Sequence, residues 1–538
     1  MRPLKVLFVT PEVEPFVKVG GLADMVGALP KELATLGHDV RVVCPAYGSI
    51  QVRGEWTARP EPLGVEVGVS THWARTWETT LPGTRIPAYF LEYDAFFARP
   101  EVYTGPWGAH ADNDLRFIFL SRGALTLCQQ LDWIPDVIHC HDWTTGFVPV
   151  YLNTTLRDTP LGRCASIFTI HNLEHQGYAD PRAMNFAQLP WSEFRADSLE
   201  SVGAINMMKA GLYHATKLTT VSPTYAQEIR TPGGGCGLDD VLRFRAGDLV
   251  GILNGIDAAS WDPARDLSLP ARYSASDMGG KAACKAVLQQ RLGLKIDPHV
   301  PVFGLVSRLV SQKGLDLLVE ALPHVLDRMQ VQFALLGTGD PGIEHAFRWA
   351  AHAFPGRVGA HVGFGGNLAR LVQAGSDVFL MPSRAEPCGL TQMYAMRYGT
   401  PPLVRATGGL LDTVEQYVEG ADTGTGFRFN DATAAALYNT IGWACATYYD
   451  RPHEFAALRQ RGMAKDFSWR RSAERYVELY RWAVEQRTGE RFHAPVETKA
   501  GRGAVNGVEV HTVRPAHARP AATRTPHPRK EEEVRETA

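Results

Sequence analysis

Short apolar runs alternate with longer helical stretches along most of this chain of 538 residues. The runs are continuously apolar, which is typical of strands that are buried on both faces of a parallel sheet. Strands that alternate with helices build such sheets through crossover connections. The pattern therefore predicts an α/β protein with parallel sheets.

The predicted strands fall into two series, separated by a segment rich in Pro, Asp and Ser over residues 261–277. Two Rossmann-like halves explain two series better than one sheet does. We predict an N-terminal domain over residues 1–260 and a C-terminal domain over residues 261–485. Polarity alternates over residues 65–69 and 72–78, which predicts an inserted hairpin. The predicted strands are residues 5–9, 39–43, 87–91, 137–141, 166–170, 218–221, 249–253, 302–306, 332–336, 357–362, 378–381, 402–404 and 426–429.

The end of the chain has a different composition. Beyond about residue 495 it becomes rich in Ala, Pro, Arg and Thr, with a run of three glutamates at residues 531–533. Such a segment lacks the apolar residues that a packed core needs. We predict a disordered tail over residues 495–538.

Charge and hydropathy argue against several classes of protein. The formal net charge of −2 gives no electrostatic basis for binding nucleic acid or an anionic membrane. No apolar segment approaches the roughly 20 residues of a membrane span, and the first strand begins too early for a signal peptide. The eight cysteines are scattered without a CxxC pair, as expected of reduced thiols rather than a disulfide frame or zinc site. These features predict a cytoplasmic protein.

Two consecutive strand-to-helix junctions stand out in the second half. The apolar run at residues 378–381 leads into SRAEPCGL at residues 383–390, and the strand at residues 402–404 leads into TGG at residues 407–409. Open α/β sheets bind ligands at such junctions, and glycine turns before a helix can present N–H groups to a phosphate. Tight turns without a ligand are an equally good interpretation of the pattern alone.

A glycine turn also follows the first strand. Lys18 precedes Gly20 and Gly21, and a helix is predicted from about Leu22. The turn does not match the GxGxxG fingerprint of dinucleotide-binding proteins. Paired glycines allow an anion to approach the backbone, and Lys18 adds a positive charge. A glycine-rich loop with a solvated lysine is the alternative, which the residues alone favour modestly.

Two polar clusters follow strands in the first half: HCHDW at residues 139–143 and HN at residues 171–172. His139 and His141 are two residues apart and share one face of a strand, so a zinc site stays possible. A sugar-binding set fits better, because Asp142 accepts hydrogen bonds from hydroxyl groups and the tryptophan offers an apolar face. For His139, a buried core histidine with satisfied hydrogen bonds is the favoured interpretation.

Arg308 and Lys313 are two cations in one predicted loop, after the strand at residues 302–306. Together they could stabilise a diphosphate leaving group without a metal ion. An exposed Arg/Lys pair with no ligand is the alternative. Further glycine turns at residues 337–339 and 363–365 follow the next two strands, and the agreement among these loops strengthens the case for a site.

Seven segments of the chain form an ordered set of motifs. They read KVGGLADMVGALPKEL, HCHDWTTG, HNLEHQG, VSPTYAQEI, GILNGID, SRLVSQKG and PSRAEPCGLTQMYAMRYGTPPLVRATGGLLDTV. They resemble the successive motifs of the bacterial glycogen synthase and plant starch synthase family, over about residues 4–482. The resemblance implies a retaining glucosyltransferase with the GT-B fold, in which two Rossmann-like domains face each other across a cleft and the last helix returns to the first domain.

The resemblance also implies roles for individual residues. Contacts to the donor diphosphate are implied for Lys18, Gly20, Gly21, Arg308, Lys313, Thr407, Gly408 and Gly409. Contacts to the transferred glucose or its surroundings are implied for Asp142, His171, Asn254, Glu386, Cys388, Gly389 and Leu390. Tyr394 is expected near the nucleoside, and residues 112–114, 116 and 117 on the acceptor side. The catalytic set would be Glu386, Arg308, Lys313, His171 and Asp142, with neither a metal ion nor a cofactor.

Two positions depart from the family pattern. Ala385 replaces the usual aromatic residue beside Glu386, which leaves more space there and weakens the expected donor preference. His175 replaces a tyrosine. Tyr394 stands where the wider glycosyltransferase group often has a second glutamate, and this agrees with glycogen synthases.

The function implied by the resemblance is transfer of glucose from ADP-glucose to the non-reducing end of an α-1,4-glucan such as glycogen, with retention of configuration. UDP-glucose is the alternative donor. Another GT-B transferase, or a non-catalytic glucan-binding protein on the same fold, is the alternative function. A phosphorylase fits less well, because no lysine matches a pyridoxal phosphate site.

Overall fold

The computed structural model describes residues 2–51 and 55–492. Residues Met1–Phe492 form one unit, and the predicted tail over residues 495–538 lies outside the described residues. Within this unit, nearly all the apolar runs of the sequence form buried strands in two separate sheets. The chain is therefore an α/β protein with two Rossmann-like halves, as predicted. The domain boundary at residue 260 falls in an exposed segment between the sheets and stays a prediction.

The first sheet has seven parallel strands and an antiparallel extension. Val6 pairs with Val40 on one side and with Val137 on the other, which buries the first strand in the middle of the sheet. The predicted hairpin is confirmed, since Leu63–Val67 pairs antiparallel with Ser70–Thr80. Across the sheet the strands are ordered Leu249–Gly251, Lys217–Thr220, Ala165–Ile170, Val137–His141, Lys5–Val9, Asp39–Pro45, Pro87–Glu92, Ser70–Thr80 and Thr57–Ala58.

The second sheet has six strands, all parallel. Its edge at the carboxyl ends of the strands carries the turns that the sequence singled out. In order across the sheet the strands are Val358–Val362, Gln332–Gly339, Val302–Leu309, Val378–Met381, Pro402–Arg405 and Phe427–Phe429.

Helices cover both sheets and connect their strands. The helices of the first half are Gly21–Thr35, Asp94–Phe97, Asn113–Gln130, Phe147–Asn153, Ala183–Phe186, Met207–His214, Pro223–Glu228 and Asp239–Phe244. Those of the second half are Gly279–Arg291, Leu315–Arg328, Pro341–Ala353, Gly366–Gly375, Thr391–Arg397, Gly408–Thr413, Ala434–Asp450, Pro452–Ala464 and Trp469–Thr488. In the part of the chain that the structure describes, no helix is both long and apolar enough to cross a membrane.

The last helix, Trp469–Thr488, returns to the first sheet. Tyr480 OH lies 2.8 Å from Nδ1 of the fully buried His139, whose Nε2 lies 2.6 Å from Thr169 Oγ1. Near the end of the helix, Arg487 donates to Asn153 Oδ1 over 2.7 Å. His139 is thus a core histidine with both ring nitrogens bonded, as the sequence favoured.

One prediction about the second sheet is wrong. Arg308 was expected in the same loop as Lys313, but it lies inside the strand Val302–Leu309. The strand continues because Arg308 and the residue after it still pair with the neighbouring strand, opposite Thr338 and Gly339. Only Lys313 lies beyond the strand, at the end of the short 3-10 helix Ser311–Lys313.

Candidate active site

The two glycine turns of the second half pack directly against each other. Gly409 donates its N–H to the Glu386 carbonyl over 3.0 Å. A Cβ added at Gly409 would lie 2.0 Å from the Cys388 carbonyl oxygen. One at Gly408 would lie 2.0 Å from the Glu386 carbonyl oxygen, and Gly408 also has a φ of +45°. No larger residue fits either position, so the turn at residues 407–409 supports the backbone that carries Glu386.

A partly buried ion pair joins this turn to the end of the short helix Ser311–Lys313. Lys313 Nζ is 2.6 Å from Glu386 Oε2, and Ser383 Oγ lies 3.0 Å from the same oxygen. Charged side chains are rarely buried unless they are paired, and here each partner neutralises the other. The pair holds an ammonium and a carboxylate at fixed positions, while Arg308 is exposed nearby in sequence at the end of its strand. An ammonium group can bind a phosphate oxygen and a carboxylate can accept a hydrogen bond from a hydroxyl group, so the pair offers both kinds of contact.

Lys18 of the first half also has carboxylate partners. Its Nζ lies 2.6 Å from Asp24 Oδ1 and 3.5 Å from Glu14 Oε2. Burial lowers the pKa of Lys18, but the charge and hydrogen bond of Asp24 outweigh this, and the pKa is raised overall. The lysine therefore stays charged, and the two carboxylates hold it beside the glycine turn.

The glycine turn of the first half is fixed by a carboxylate that the sequence analysis missed. Glu12 Oε2 accepts the N–H groups of Val19 and Gly20 over 2.5 and 2.9 Å, and Tyr103 OH donates to Glu12 Oε1 over 2.6 Å. The N–H of Gly20 is therefore already bonded. Gly21 begins the helix Gly21–Thr35, so its N–H has no acceptor within the helix.

Asp142 and His171 lie together at the carboxyl ends of two neighbouring strands. Asp142 Oδ1 accepts the backbone N–H of His171 over 2.7 Å, and His171 Nε2 lies 3.1 Å from His141 Nδ1. Asp142 has a φ of 56°, a strained conformation for a residue with a side chain. Burial raises the pKa of Asp142 to about 7 and lowers that of His171 to about 3. His171 is therefore neutral at pH 7, and Asp142 exchanges its proton near that pH.

The raised pKa of Asp142 predicts a specific pH dependence of stability. Between pH 4 and 7 the folded protein holds a proton on Asp142 that the unfolded chain has lost, so the wild type loses stability over this range, and the loss is complete slightly above pH 7. Relative to Asp142→Asn, we expect the free energy of unfolding of the wild type to fall by about 2 kcal/mol between pH 4.5 and 7.5. Urea unfolding at both pH values measures this difference. Asp197→Asn, at an exposed carboxylate, is the control. A difference that does not change with pH would contradict the prediction.

Asn254 has a buried side-chain oxygen, Oδ1, without a hydrogen-bond partner among the described residues. Nε2 of His141 is likewise buried without a hydrogen-bond partner among these residues. Buried polar atoms are normally bonded, and an unbonded oxygen beside a candidate sugar site fits a hydroxyl group of the substrate.

The aromatic residues near the second sheet differ in their exposure. Tyr394 is buried and its ring stacks on that of Trp261, with centroids 3.7 Å apart. Phe364, which the sequence analysis named only as part of a glycine turn, is 92% exposed. It lines a cavity of about 510 Å³ together with His361 and Asn367. Phe364 is therefore an exposed aromatic face beside a cavity, and a single aromatic residue between two glycines was the signal for it.

The candidate residues of both halves meet in this structure. A Cβ added at Gly21 would lie 3.6 Å from Leu390 Cδ1. Glu228 of the first half accepts hydrogen bonds from the Thr407 hydroxyl and the Gly408 N–H, each over 3.0 Å. Two of the groups predicted to bind phosphate are therefore bonded to a protein carboxylate, and their phosphate contact stays a prediction.

Both halves contribute polar turns and lysine side chains, each lysine paired with a carboxylate, to the candidate site. Cations come from both halves, and the polar turns lie at the carboxyl ends of both parallel sheets, where α/β proteins bind ligands. Within residues 2–51 and 55–492, no group of three or more His, Cys, Asp or Glu side chains is placed to hold a metal ion. All eight cysteines are free, and seven are buried.

Two family descriptions match the chain, one in each half. "Starch synthase catalytic domain" matches residues 5–244, and "Glycosyl transferases group 1" matches residues 289–446. The glycogen synthase 1 of Geobacter sulfurreducens is 47% identical over 492 residues, which cover 91% of this chain and 98% of the relative. A glycogen synthase of Anaeromyxobacter sp. is 48% identical over 89% of this chain and 99% of its own length.

Solved structures agree with these relatives. The catalytic domain of starch synthase IV from Arabidopsis thaliana, bound to ADP and acarbose, superposes with a TM-score of 0.83 at 34% identity. The match covers 90% of this chain and all of that one. A sucrose-phosphate synthase from Thermosynechococcus elongatus matches at a TM-score of 0.53 and 18% identity, over 89% of this chain and 99% of its own, and shares the fold alone.

Proposed function

Because the chain belongs to the glycogen synthase and starch synthase family of retaining GT-B glucosyltransferases, we propose that it uses ADP-glucose as donor and glycogen as acceptor. The family makes it an enzyme that transfers glucose from a nucleotide sugar to an α-1,4-glucan. The observation that carries the assignment to this site is the ion pair of the partly buried Lys313 and the buried Glu386. It supplies a cation for the departing phosphate and a carboxylate for the sugar in one rigid unit.

The donor diphosphate lies between the two halves in our proposal. Lys313 and Arg308 approach it from the second half, and Lys18 with the N–H of Gly21 approaches from the first. Each positive group offsets the negative charge that grows on the diphosphate as the bond to glucose breaks. In the family pattern Thr407, Gly408 and Gly409 belong to the same phosphate region, and in our proposal this turn keeps its hydrogen bonds to Glu228 when the donor binds.

The glucose lies against Glu386 and the turn formed by Cys388, Gly389 and Leu390. Glu386 accepts a hydrogen bond from a glucose hydroxyl, and so does the unbonded Asn254 oxygen. His171 is neutral, so it donates or accepts a hydrogen bond without adding charge. Asp142 lies on the side of the sugar from which the acceptor enters, and residues 112–114, 116 and 117 belong to that acceptor side.

Transfer then takes place on one face of the sugar. The bond from the anomeric carbon to the diphosphate oxygen breaks, and the acceptor 4-hydroxyl forms the new bond on the same face. Its proton passes to the departing phosphate oxygen. Glu386 is a poor candidate for a covalent nucleophile, because Lys313 and Ser383 already bond its Oε2. Retention in this scheme follows from the leaving phosphate assisting the attack.

The base of the donor is proposed to lie at the other end of the nucleotide, against Phe364. The strand that ends beside Phe364 is three strand spacings from the strand that ends beside Glu386, about 14 Å along the sheet edge. Tyr394, beside Trp261, belongs to the same half and is proposed to support the nucleoside. Phe364→Ala is expected to raise the KM for the donor severalfold without changing the KM for glycogen, and equal kinetics would contradict the assignment.

A donor comparison tests the proposed function directly. We expect kcat/KM with ADP-glucose to exceed that with UDP-glucose by at least about tenfold, with glycogen as acceptor and labelled glucose in the product. Ala385 leaves space beside Glu386, so UDP-glucose is the informative competitor. A higher rate with UDP-glucose, or transfer only to small acceptors, would contradict the proposal. Absence of nucleotide release with either donor would favour a glucan-binding protein. The cytoplasmic location stays a prediction.

A further inference from the structure

Two short helices, one from each half, lie against each other across the cleft. Pro223–Glu228 follows a strand of the first sheet, and Gly408–Thr413 follows a strand of the second. Each helix has six residues, so most of its N–H and carbonyl groups have no partner within the helix. Their remaining hydrogen-bonding groups therefore depend on neighbours.

The carboxylate of Glu228 caps the N-terminus of the second-half helix. Its Oε1 accepts the Gly408 N–H and the Thr407 hydroxyl, each over 3.0 Å. Glu228 is separated from these groups by about 180 residues of sequence. A carboxylate is the preferred partner at a helix N-terminus, because the N–H groups there carry partial positive charge.

The carboxylate of Asp412 caps the N-terminus of the first-half helix. Its Oδ2 accepts the Thr224 N–H over 2.8 Å, and its Oδ1 accepts the Thr224 hydroxyl over 2.6 Å. Ser222 satisfies the next N–H of that helix by accepting from Tyr225 over 3.0 Å. The exchange is therefore reciprocal, since each helix supplies the carboxylate that caps the other.

We propose that this reciprocal capping holds the two halves closed and positions the sugar-binding turn for transfer. Glu228 and Asp412 are thus positioning residues of the enzyme, acting through the turn at residues 407–409. Four hydrogen bonds to two carboxylates join the halves at this point, and each is broken if the halves separate.

The four hydrogen bonds made by Glu228 and Asp412, together called the clasp, affect the reacting sugar through backbone contacts. Gly408 and Gly409 lie against the carbonyl oxygens of Glu386 and Cys388, so closely that no Cβ fits between them. When Glu228 holds Gly408, it therefore also fixes the backbone of Glu386. This link to catalysis rests on the proposed function of Glu386, whereas the link to closure does not.

Variants of Glu228 test the clasp because one oxygen makes both of its bonds. Glu228→Gln keeps an acceptor oxygen for Thr407 and Gly408, whereas Glu228→Ala removes it. Without any ligand, we expect the alanine variant to have a larger radius of gyration by small-angle X-ray scattering than the wild type and the glutamine variant. Glu474→Ala, at an exposed glutamate paired within its own helix, is the matched control. Circular dichroism confirms that each variant is folded.

Kinetics give the second readout. Glu228→Ala is expected to raise the KM for the nucleotide sugar about tenfold, since loss of two charge-assisted hydrogen bonds reduces the closed fraction. Glu228→Gln is expected to stay within about threefold of the wild type. Thr224→Val, which removes only the hydroxyl donor to Asp412, should give a smaller change in the same direction and serves if Glu228→Ala fails to fold.

The outcomes separate the two proposals. If the alanine variant and Thr224→Val scatter like the wild type, the clasp is wrong, whatever the activity. If they are more open while the wild type transfers no glucose, the clasp stands and the proposed donor or acceptor is wrong. If they are more open but the KM for the donor is unchanged, the halves are clasped without positioning the sugar-binding turn, and the catalytic part is overturned.

Discussion

Replacing Lys313 by alanine is expected to lower kcat for glucosyl transfer by about 10²–10³-fold. Lys313 Nζ lies 2.6 Å from Glu386 Oε2 in a partly buried pair. Loss of Lys313 therefore removes the cation proposed to meet the departing diphosphate and leaves the buried Glu386 carboxylate without its partner. Release of the nucleoside diphosphate from the donor, with glycogen present, measures the effect. Turnover within threefold of the wild type would contradict the assignment.

Two further variants distinguish the effect of Lys313→Ala on catalysis from its effect on thermal stability. Lys313→Ala combined with Glu386→Gln removes the unpaired charge, so we expect the double variant to recover part of the thermal stability but none of the lost kcat. Lys465→Ala is the matched control, because Lys465 pairs with Glu415 on the surface of the same half. If the double variant regained activity, Lys313 would serve only to neutralise Glu386.

Replacing Gly409 by alanine is expected to lower kcat/KM by at least about 100-fold. The added Cβ would lie 2.0 Å from the Cys388 carbonyl oxygen and 2.5 Å from the Cys388 Cα, so the backbone beside Glu386 has to move. A displacement of about 1 Å at a catalytic group is enough for a loss of that size. Steady-state kinetics with the nucleotide sugar and glycogen measure the loss.

The control for Gly409 is a glycine with open space around it. A Cβ at Gly247 meets nothing within 4 Å, and its φ lies outside the left-handed region. Gly247→Ala should keep full activity and leave the melting temperature unchanged or slightly raised. If Gly409→Ala folded and kept wild-type kinetics, the two glycine turns would not be coupled in the way that their packing indicates.

The sequence was informative wherever a structure depends on local periodicity. Continuous apolar runs located the strands of both sheets, and the two-residue spacing placed His139 and His141 on one face, with ring centroids 4.3 Å apart. The strand through Arg308 was predicted to end too early. Its last pairs depend on the length of the neighbouring strand up to Gly339, and not on its own composition.

The carboxylates that organise the site were not predictable in the same way. Glu12 and Glu228 look like ordinary charged residues beside a strand and on a helix. Their partners are the N–H groups of distant turns, and a backbone N–H leaves no mark in the sequence. The stacking of Tyr394 on Trp261 brings together residues more than 130 positions apart, which no local pattern reports.

The return of the last helix to the first sheet has a consequence for how the protein is made. His139 and Thr169 belong to strands that leave the ribosome early, but Tyr480 arrives only after some 340 further residues have been synthesised. Until then, the last helix does not cover the core around His139, and Nδ1 of His139 lacks its partner. A buried ring nitrogen without a hydrogen bond is unfavourable. The first half therefore cannot complete its folding as an independent unit during translation, and its final consolidation follows synthesis of nearly the whole described chain.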